Sequence, residues 1–467
     1  MRLSLSDEEK FDLERKFADF RYHGVSLGRS LKSYFGVTVD ASFGVAVSSF
    51  VHWLYLMMFG PRHIGECHGT SRGKVLFALS GNTDRLKRLV FPIANAFDVN
   101  ERSFLFWDKG AAVSIGDDSN WCDVHYVRHK SDVRARLAVL RDLFNIARMF
   151  VGWARAQNLP LRLSWSFVYY VSCLYGYIDG IKRFLKEEKP KCVVVDYEHF
   201  YVWSSLIQLA QGMSIPTMTL MHGEIYSAYG YTPVISNKVA VWGESQKKQL
   251  VGYGVDARRI VVCGCPRVDA NGCCAINREA VIARLGLPLT KPIALLATNP
   301  VLIEYRIKQV KDFCEALKGV EEIQGVVRLH PSESLSVYEG CIVQCPWVRF
   351  YEAKKWTIEE SLGIARVVVN HDSGFGADAL VHGCPVIELD NLPGGLTNGK
   401  KLVDEAGCPC VRDIEALRNE LEQVVKDDAY HNQLIEKSRH FVKNLFFSFG
   451  DAAAKNTYGA ITALMAG

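Results

Sequence analysis

From residue 74 onward, short continuous apolar runs alternate with longer stretches of helical periodicity. The runs KVLFALS (74–80), SFLFWD (103–108), KCVVVDYE (191–198), IPTMTLMHG (215–223), KVAVWG (238–243) and RIVVCG (259–264) are rich in β-branched residues and show no in–out alternation. That is the pattern of strands covered on both faces, as in a parallel sheet flanked by helices. Residues 149–191 read as aromatic, amphipathic helix leading into the strand at Cys192. A Pro-, Gly- and Cys-rich stretch, CGCPRVDANGCC (263–274), breaks the rhythm. The alternation then restarts with PIALLATN (292–299), GVVRLHP (325–331), WVRFYEA (347–353), ARVVVNHD (365–372) and CPVIELD (384–390), with helices over 303–317 and 375–382 and from Asp413. The expectation is an α/β protein of two Rossmann-like doubly wound domains facing across a cleft. A helical preface (1–70) precedes an N-terminal domain (71–270). A C-terminal domain (285–445) follows, and a final helix (446–467) is expected to pack back on the first domain.

Composition narrows the class. Of 467 residues, 49% are hydrophobic and 23% charged, as in a globular chain, and the net charge of +4 lacks the basic excess that nucleic acid requires. The start MRLSLSDEEKFDLERKF has no basic region followed by an apolar one, so no secretory leader is read and a cytoplasmic location is expected. The 14 cysteines are scattered without paired CxxC spacing and read as reduced, mostly buried thiols rather than a zinc site. Residues 43–63 form an apolar stretch interrupted by His52; it reads as a buried helix or as a patch touching the inner membrane face.

In open parallel sheets, ligands bind beyond the carboxyl ends of the strands. The second domain places Thr298 and Asn299, Arg328 and His330, Asp372 and Ser373, and Glu388 and Asp390 at such ends. The segment NHDSGFGADALVHGCPVIELD (370–390) predicts a strand, a tight turn at Ser373 and Gly374, and a helix whose first N–H groups suit a phosphate. Gly374 and Gly376 are expected to let the backbone approach that phosphate, and Glu388 or Asp390 to hold ribose hydroxyls. His330 is expected to donate a hydrogen bond to the same phosphate, with Pro331 as a rigid stop. Arg328, two residues earlier on the strand, is expected to point the same way. In the first domain, VVVDYEHF and LMHGEIYSAYG put Asp196, Glu198, His222 and Glu224 at successive strand ends. These are candidates for a general base or nucleophile. Asp196 and Glu198, two apart, are expected to share a face.

The order HG…KVAVWG…IVVCGCPRVD…IALLATN…RLHPSES…NHDSGFGADALVHGCPV resembles the GT-B glycosyltransferases of bacterial surface polysaccharides over roughly residues 190–450. Within that group the motifs look most like those of the CMP- or CDP-donor enzymes, namely polysialyltransferases, capsule and O-antigen Kdo transferases, and CDP-glycerol glycerophosphotransferases. The resemblance implies that His330, Pro331 and Ser373 bind the donor's cytidine phosphate, with Asp378 as the acid five residues after the serine. No acidic-acidic-Gly triplet is present to supply the base. The implied activity is metal-independent transfer of a sugar, foremost a CMP-linked ulosonic acid such as Kdo or sialic acid, to a glycan or glycolipid acceptor. No cofactor and no nucleic-acid partner are expected, and peripheral contact with the inner membrane face remains one of the two readings of residues 43–63. UDP-sugar 2-epimerases share the Ser-Gly turn and the GxPV ending and are a second reading; a non-catalytic membrane-associated scaffold is a third.

Overall fold

The computed structural model describes residues 2–3, 7–30, 39–40, 70–80, 84–106, 124–126, 133–156, 163–225, 227–268, 276–299, 302–392, 395–396 and 399–467. The apolar stretch 43–63 lies outside them. The chain forms two compact units, one of Met1–Arg267 with Asp451–Gly467 and one of Val268–Gly450.

Among the described residues, the first unit is built on seven parallel strands: β1 (Val75–Leu79), β2 (Arg102–Phe106), β3 (Val124–Tyr126), β4 (Cys192–Val195), β5 (Thr217–Leu220), β6 (Lys238–Val241) and β7 (Ile260–Val262). Their order is β3-β2-β1-β4-β5-β6-β7. The chain therefore winds outward from β1 in one direction, then reverses at β4, and the β1/β4 boundary is a topological switch point. Leu76 and Ala78 of β1 face one core and Val75, Phe77 and Leu79 the other, as the two-residue period of a strand dictates. On the first face, the helix Leu163–Glu188 buries Val171, Leu174, Ile178, Ile181 and Leu185, a three- and four-residue spacing, against the strands and against Trp203 and Leu206. The preface helix Asp7–Phe17 adds Leu13 and Phe17 to this same cluster. On the second face, the final helix Gly450–Ala466 packs Ala454 and Ile461 with Phe77 and Phe104.

Among its described residues the second unit has six parallel strands: β8 (Ile293–Ala297), β9 (Gln324–Arg328), β10 (Val348–Tyr351), β11 (Ala365–Asn370), β12 (Val386–Leu389) and β13 (Cys410–Val411). Their order, β10-β9-β8-β11-β12-β13, repeats the Rossmann winding and puts a second switch point between β8 and β11. Among the described residues no helix is long and apolar enough to cross a membrane. The described cysteines are free thiols, buried except Cys173 and Cys410.

Candidate functional site

A dense polar constellation of the second unit gathers at the strand ends around its switch point. Strand β9 ends at Arg328, and the chain turns at His330, where Pro331 sets its own φ and the Glu333 N–H closes on the His330 carbonyl at 2.9 Å. Thr298, just past β8, accepts the His330 N–H at 2.8 Å. Its hydroxyl donates in turn to Glu333. The Glu333 side chain is fully buried; it also accepts the Tyr338 hydroxyl at 3.0 Å and pairs with Arg306 at 2.8 Å. One carboxylate thus fastens the His-Pro loop to the end of β8.

The imidazole of His330 is half-buried, and its tautomer follows from its neighbours. The Ser332 N–H, which can only donate, points at Nδ1 at 3.2 Å, and the Ser332 hydroxyl lies 2.8 Å from the same atom. In the neutral ring Nδ1 is therefore the acceptor, and the proton sits on Nε2. Burial lowers the His330 pKa below its usual 6.5, and Arg328 and Arg306 lower it further against the opposing charge of Glu333. The ring is a neutral donor at physiological pH.

On the other side of β8, Asn299 donates to the carbonyl of His371 at 3.1 Å. Adjoining residues of one strand end, Thr298 and Asn299, thus brace the His330 loop and the Ser373 turn, whose strands β9 and β11 flank β8. The turn itself is held by Asn370, which donates through Nδ2 to the Ser373 carbonyl at 3.1 Å and to Glu388 at 2.6 Å. Asp372 takes a left-handed φ of 53°, a conformation Asp tolerates better than most residues. Its N–H donates to Glu388 at 3.3 Å, and its carboxylate accepts the Gly399 N–H at 2.8 Å.

Several expectations change here. Glu388 is completely buried and bonded to Asn370 and Asp372, so it shapes the turn instead of presenting an edge to ribose. Strand β9 ends at Arg328, two residues before His330, and the Arg328 charge still reaches the imidazole. Arg328 is buried, donates to the Ser361 hydroxyl at 3.0 Å and lies 5.5 Å from the Phe375 ring centre. The helix Phe375–Val381 has seven residues, too few for much of a macrodipole, and its N-cap is Gly374; Ser373 Oγ accepts only a long 3.4 Å bond from Phe375. Any anion affinity of this turn rests on local donors. The glycines also separate. A Cβ on Gly376 would lie 2.6 Å from Leu402 and 2.8 Å from Asn370, so that glycine serves packing. A Cβ on Gly374 would meet nothing within 4 Å, and its φ is −59°, so neither packing nor conformation demands glycine there. Asp378 is buried in the first turn of this helix.

In the first unit β4 stops at Val195, and Asp196 and Glu198 fall in the turn before the helix Tyr201–Gly212. A turn has no two-residue alternation, and the two acids diverge. Asp196 is buried and accepts the Ser80 N–H at 3.0 Å and its hydroxyl at 2.7 Å, locking the β1/β4 switch point. Glu198 turns toward β5 and β6. Its Oε2 accepts from the Thr219 hydroxyl and from the N–H and hydroxyl of Ser236 and the Ile235 N–H, all within 3.1 Å. Burial pushes the Glu198 pKa up against the pull of these donors. Glu224 is buried, and its carbonyl accepts the Tyr231 hydroxyl. His222 is the one of the four that is only half-buried; it lies between Tyr197, at 4.8 Å, and Tyr231, at 5.8 Å between ring centres.

No family model matches the sequence, and no curated protein matches it. Solved structures do. The UDP-GlcNAc 2-epimerase from Neisseria meningitidis bound to UDP-GlcNAc aligns over 84% of this chain and 99% of its own, with a TM-score of 0.57 and 14% identity. A glycosyltransferase from Rickettsia africae aligns over 84% and 99%, with a TM-score of 0.54 and 12% identity. An Anabaena protein in complex with UDP and glucose aligns over 84% and 100%, at 0.53 and 10%. The chain has the GT-B fold. At these identities the likeness shows the fold alone, with seven strands in one Rossmann-like domain and six in the other.

Proposed function

We propose that this GT-B protein transfers a sugar from a nucleotide-activated donor to a glycan or glycolipid acceptor, and that its second unit holds the donor. What supports the reading is that adjoining residues at the end of β8, Thr298 and Asn299, brace both the loop of His330, a neutral Nε2–H donor, and the segment leading into the Ser373 turn. In such a transfer, negative charge develops on the departing nucleotide phosphate, and prearranged donors stabilise it. His330 Nε2–H and the Ser373 hydroxyl supply them, while the open space at Gly374 admits the phosphate. Asp378 and Asn299 border the nucleotide, and Glu388 positions the turn from below. The solved neighbours hold UDP and a UDP-linked sugar, which favours a UDP-sugar as the first donor to test. A CMP-linked ulosonic acid, suggested by the motif resemblance, comes second.

For the base, the geometry of the first unit favours His222. Asp196 and Glu198 are buried and already hold neighbouring turns through the hydrogen bonds they accept, and Glu224 is buried. Removing a preorganised donor typically costs about 10²–10³ in kcat. His330→Ala is expected to lose activity by that factor, and His222→Ala to lose transfer while nucleotide binding persists. Nucleotide release measured with and without added glycan tests the reaction class. Release that requires the acceptor supports transfer. Formation of a C2-epimeric UDP-sugar without acceptor would support the epimerase reading, which the N. meningitidis neighbour favours.

A further inference from the structure

Among the described residues, the helix Val133–Ala156 of the first unit carries an exposed apolar stripe. Leu137, Leu140 and Phe144 are 59%, 51% and 73% exposed. Their spacing of three and four places them on one side of the helix, and at ~100° per residue Arg148 and Arg155 continue the same line while Arg141 flanks it. All three arginines are exposed. The inward side is fixed by Phe150, buried in the core, and by Asp142, which accepts the Tyr175 hydroxyl at 2.9 Å. The helix has five arginines and a single acid, and that acid, Asp142, is already bonded to Arg141 and Tyr175.

We propose that this face docks on an anionic lipid surface, with Leu137, Leu140 and Phe144 entering the headgroup boundary and Arg141, Arg148 and Arg155 meeting the lipid phosphates. A helix with an apolar stripe, a basic polar side and too many charges to span lies in the interface plane. Charge decides against the other natural cover, a second copy. A two-fold contact would set the same patch against itself, bringing six arginines together with nothing but engaged aspartates to offset them. The inference is independent of the donor site.

Co-sedimentation of the full chain with vesicles tests it. Binding to vesicles of phosphatidylglycerol and phosphatidylcholine, weakened by salt and lost on phosphatidylcholine alone, is the expected result. The combined Leu137→Ser, Leu140→Ser, Phe144→Ser variant and the combined Arg148→Glu, Arg155→Glu variant are each expected to bind at least tenfold more weakly, with unchanged far-ultraviolet dichroism because every substituted side chain is exposed. Absence of binding by the unaltered protein, or undiminished binding by both variants, would overturn the proposal. So would a dimer in sedimentation equilibrium that Phe144→Ser dissociates, which would assign the stripe to a second copy.

Discussion

At the scale of single residues, the protonation state of His330 has a direct consequence. Its pKa is below that of a free imidazole, so the folded chain holds it neutral where the unfolded chain begins to protonate. Its contribution to stability is therefore complete above pH ~6.5 and is lost as the pH falls below that value. Binding through Nε2–H needs no imidazolium. The affinity for a nucleotide sugar, whose phosphodiester charge is constant in this range, is expected to be flat between neutral and mildly alkaline pH in calorimetric titration. An imidazolium clamp would weaken it about tenfold per pH unit. Glu333 makes a second test. Removing one partner of a buried ion pair costs about 3–5 kcal/mol. Arg306 keeps some contact with water, so Glu333→Ala is expected near 3 kcal/mol in denaturant unfolding. His330 and Ser373 are legible in the sequence because Pro331 and Gly374 punctuate strand ends. Glu333 is not, since a lone acid in HPSES looks like a solvated turn residue until Thr298, Arg306 and Tyr338 are brought around it. Asp196 and Glu198 mislead for a related reason: spacing of two predicts a shared face only while the strand continues.

At the scale of elements, the two glycines of the Ser373 turn predict opposite outcomes. Gly376→Ala forces a methyl group into Leu402 and Asn370 and is expected to destabilise by about 1–3 kcal/mol, as overpacking does. Gly374→Ala is expected to leave stability within about 0.5 kcal/mol, typical of an uncrowded surface position, while weakening nucleotide binding. Paired thermal melts, with and without nucleotide, separate the two effects. The strands with continuous apolar runs are readable, each shorter than its run because the ends become turns. Strands β3 and β13 escape such a reading. VHY alternates apolar with polar over three residues, and Cys410–Val411 is a two-residue edge strand that pairs only with β12. Neither is long enough to carry a periodic signal.

At the scale of the molecule, the alternation of strand and helix points to the doubly wound class, but strand order comes from pairing that no local pattern encodes. The switch points appear only once β1 is seen beside β4 and β8 beside β11. The preface is similarly opaque: its place in the first unit depends on contacts between residues far apart in the chain, such as the Tyr22 hydroxyl on Asp179 at 3.0 Å. Both units share one winding, yet they brace their switch points differently. The first closes its own with the buried Asp196–Ser80 contact, whereas the second keeps a half-buried imidazole and an exposed glycine at hand. That asymmetry is the reason for assigning the nucleotide to the second unit. Calorimetric titration of the full chain with UDP, CMP, CDP and GDP, repeated on His330→Ala and on Ser373→Ala, tests the assignment most directly. A pyrimidine nucleotide is expected to bind, and each substitution to weaken it by at least tenfold; binding of none of the four, or undiminished binding by both variants, would contradict the assignment.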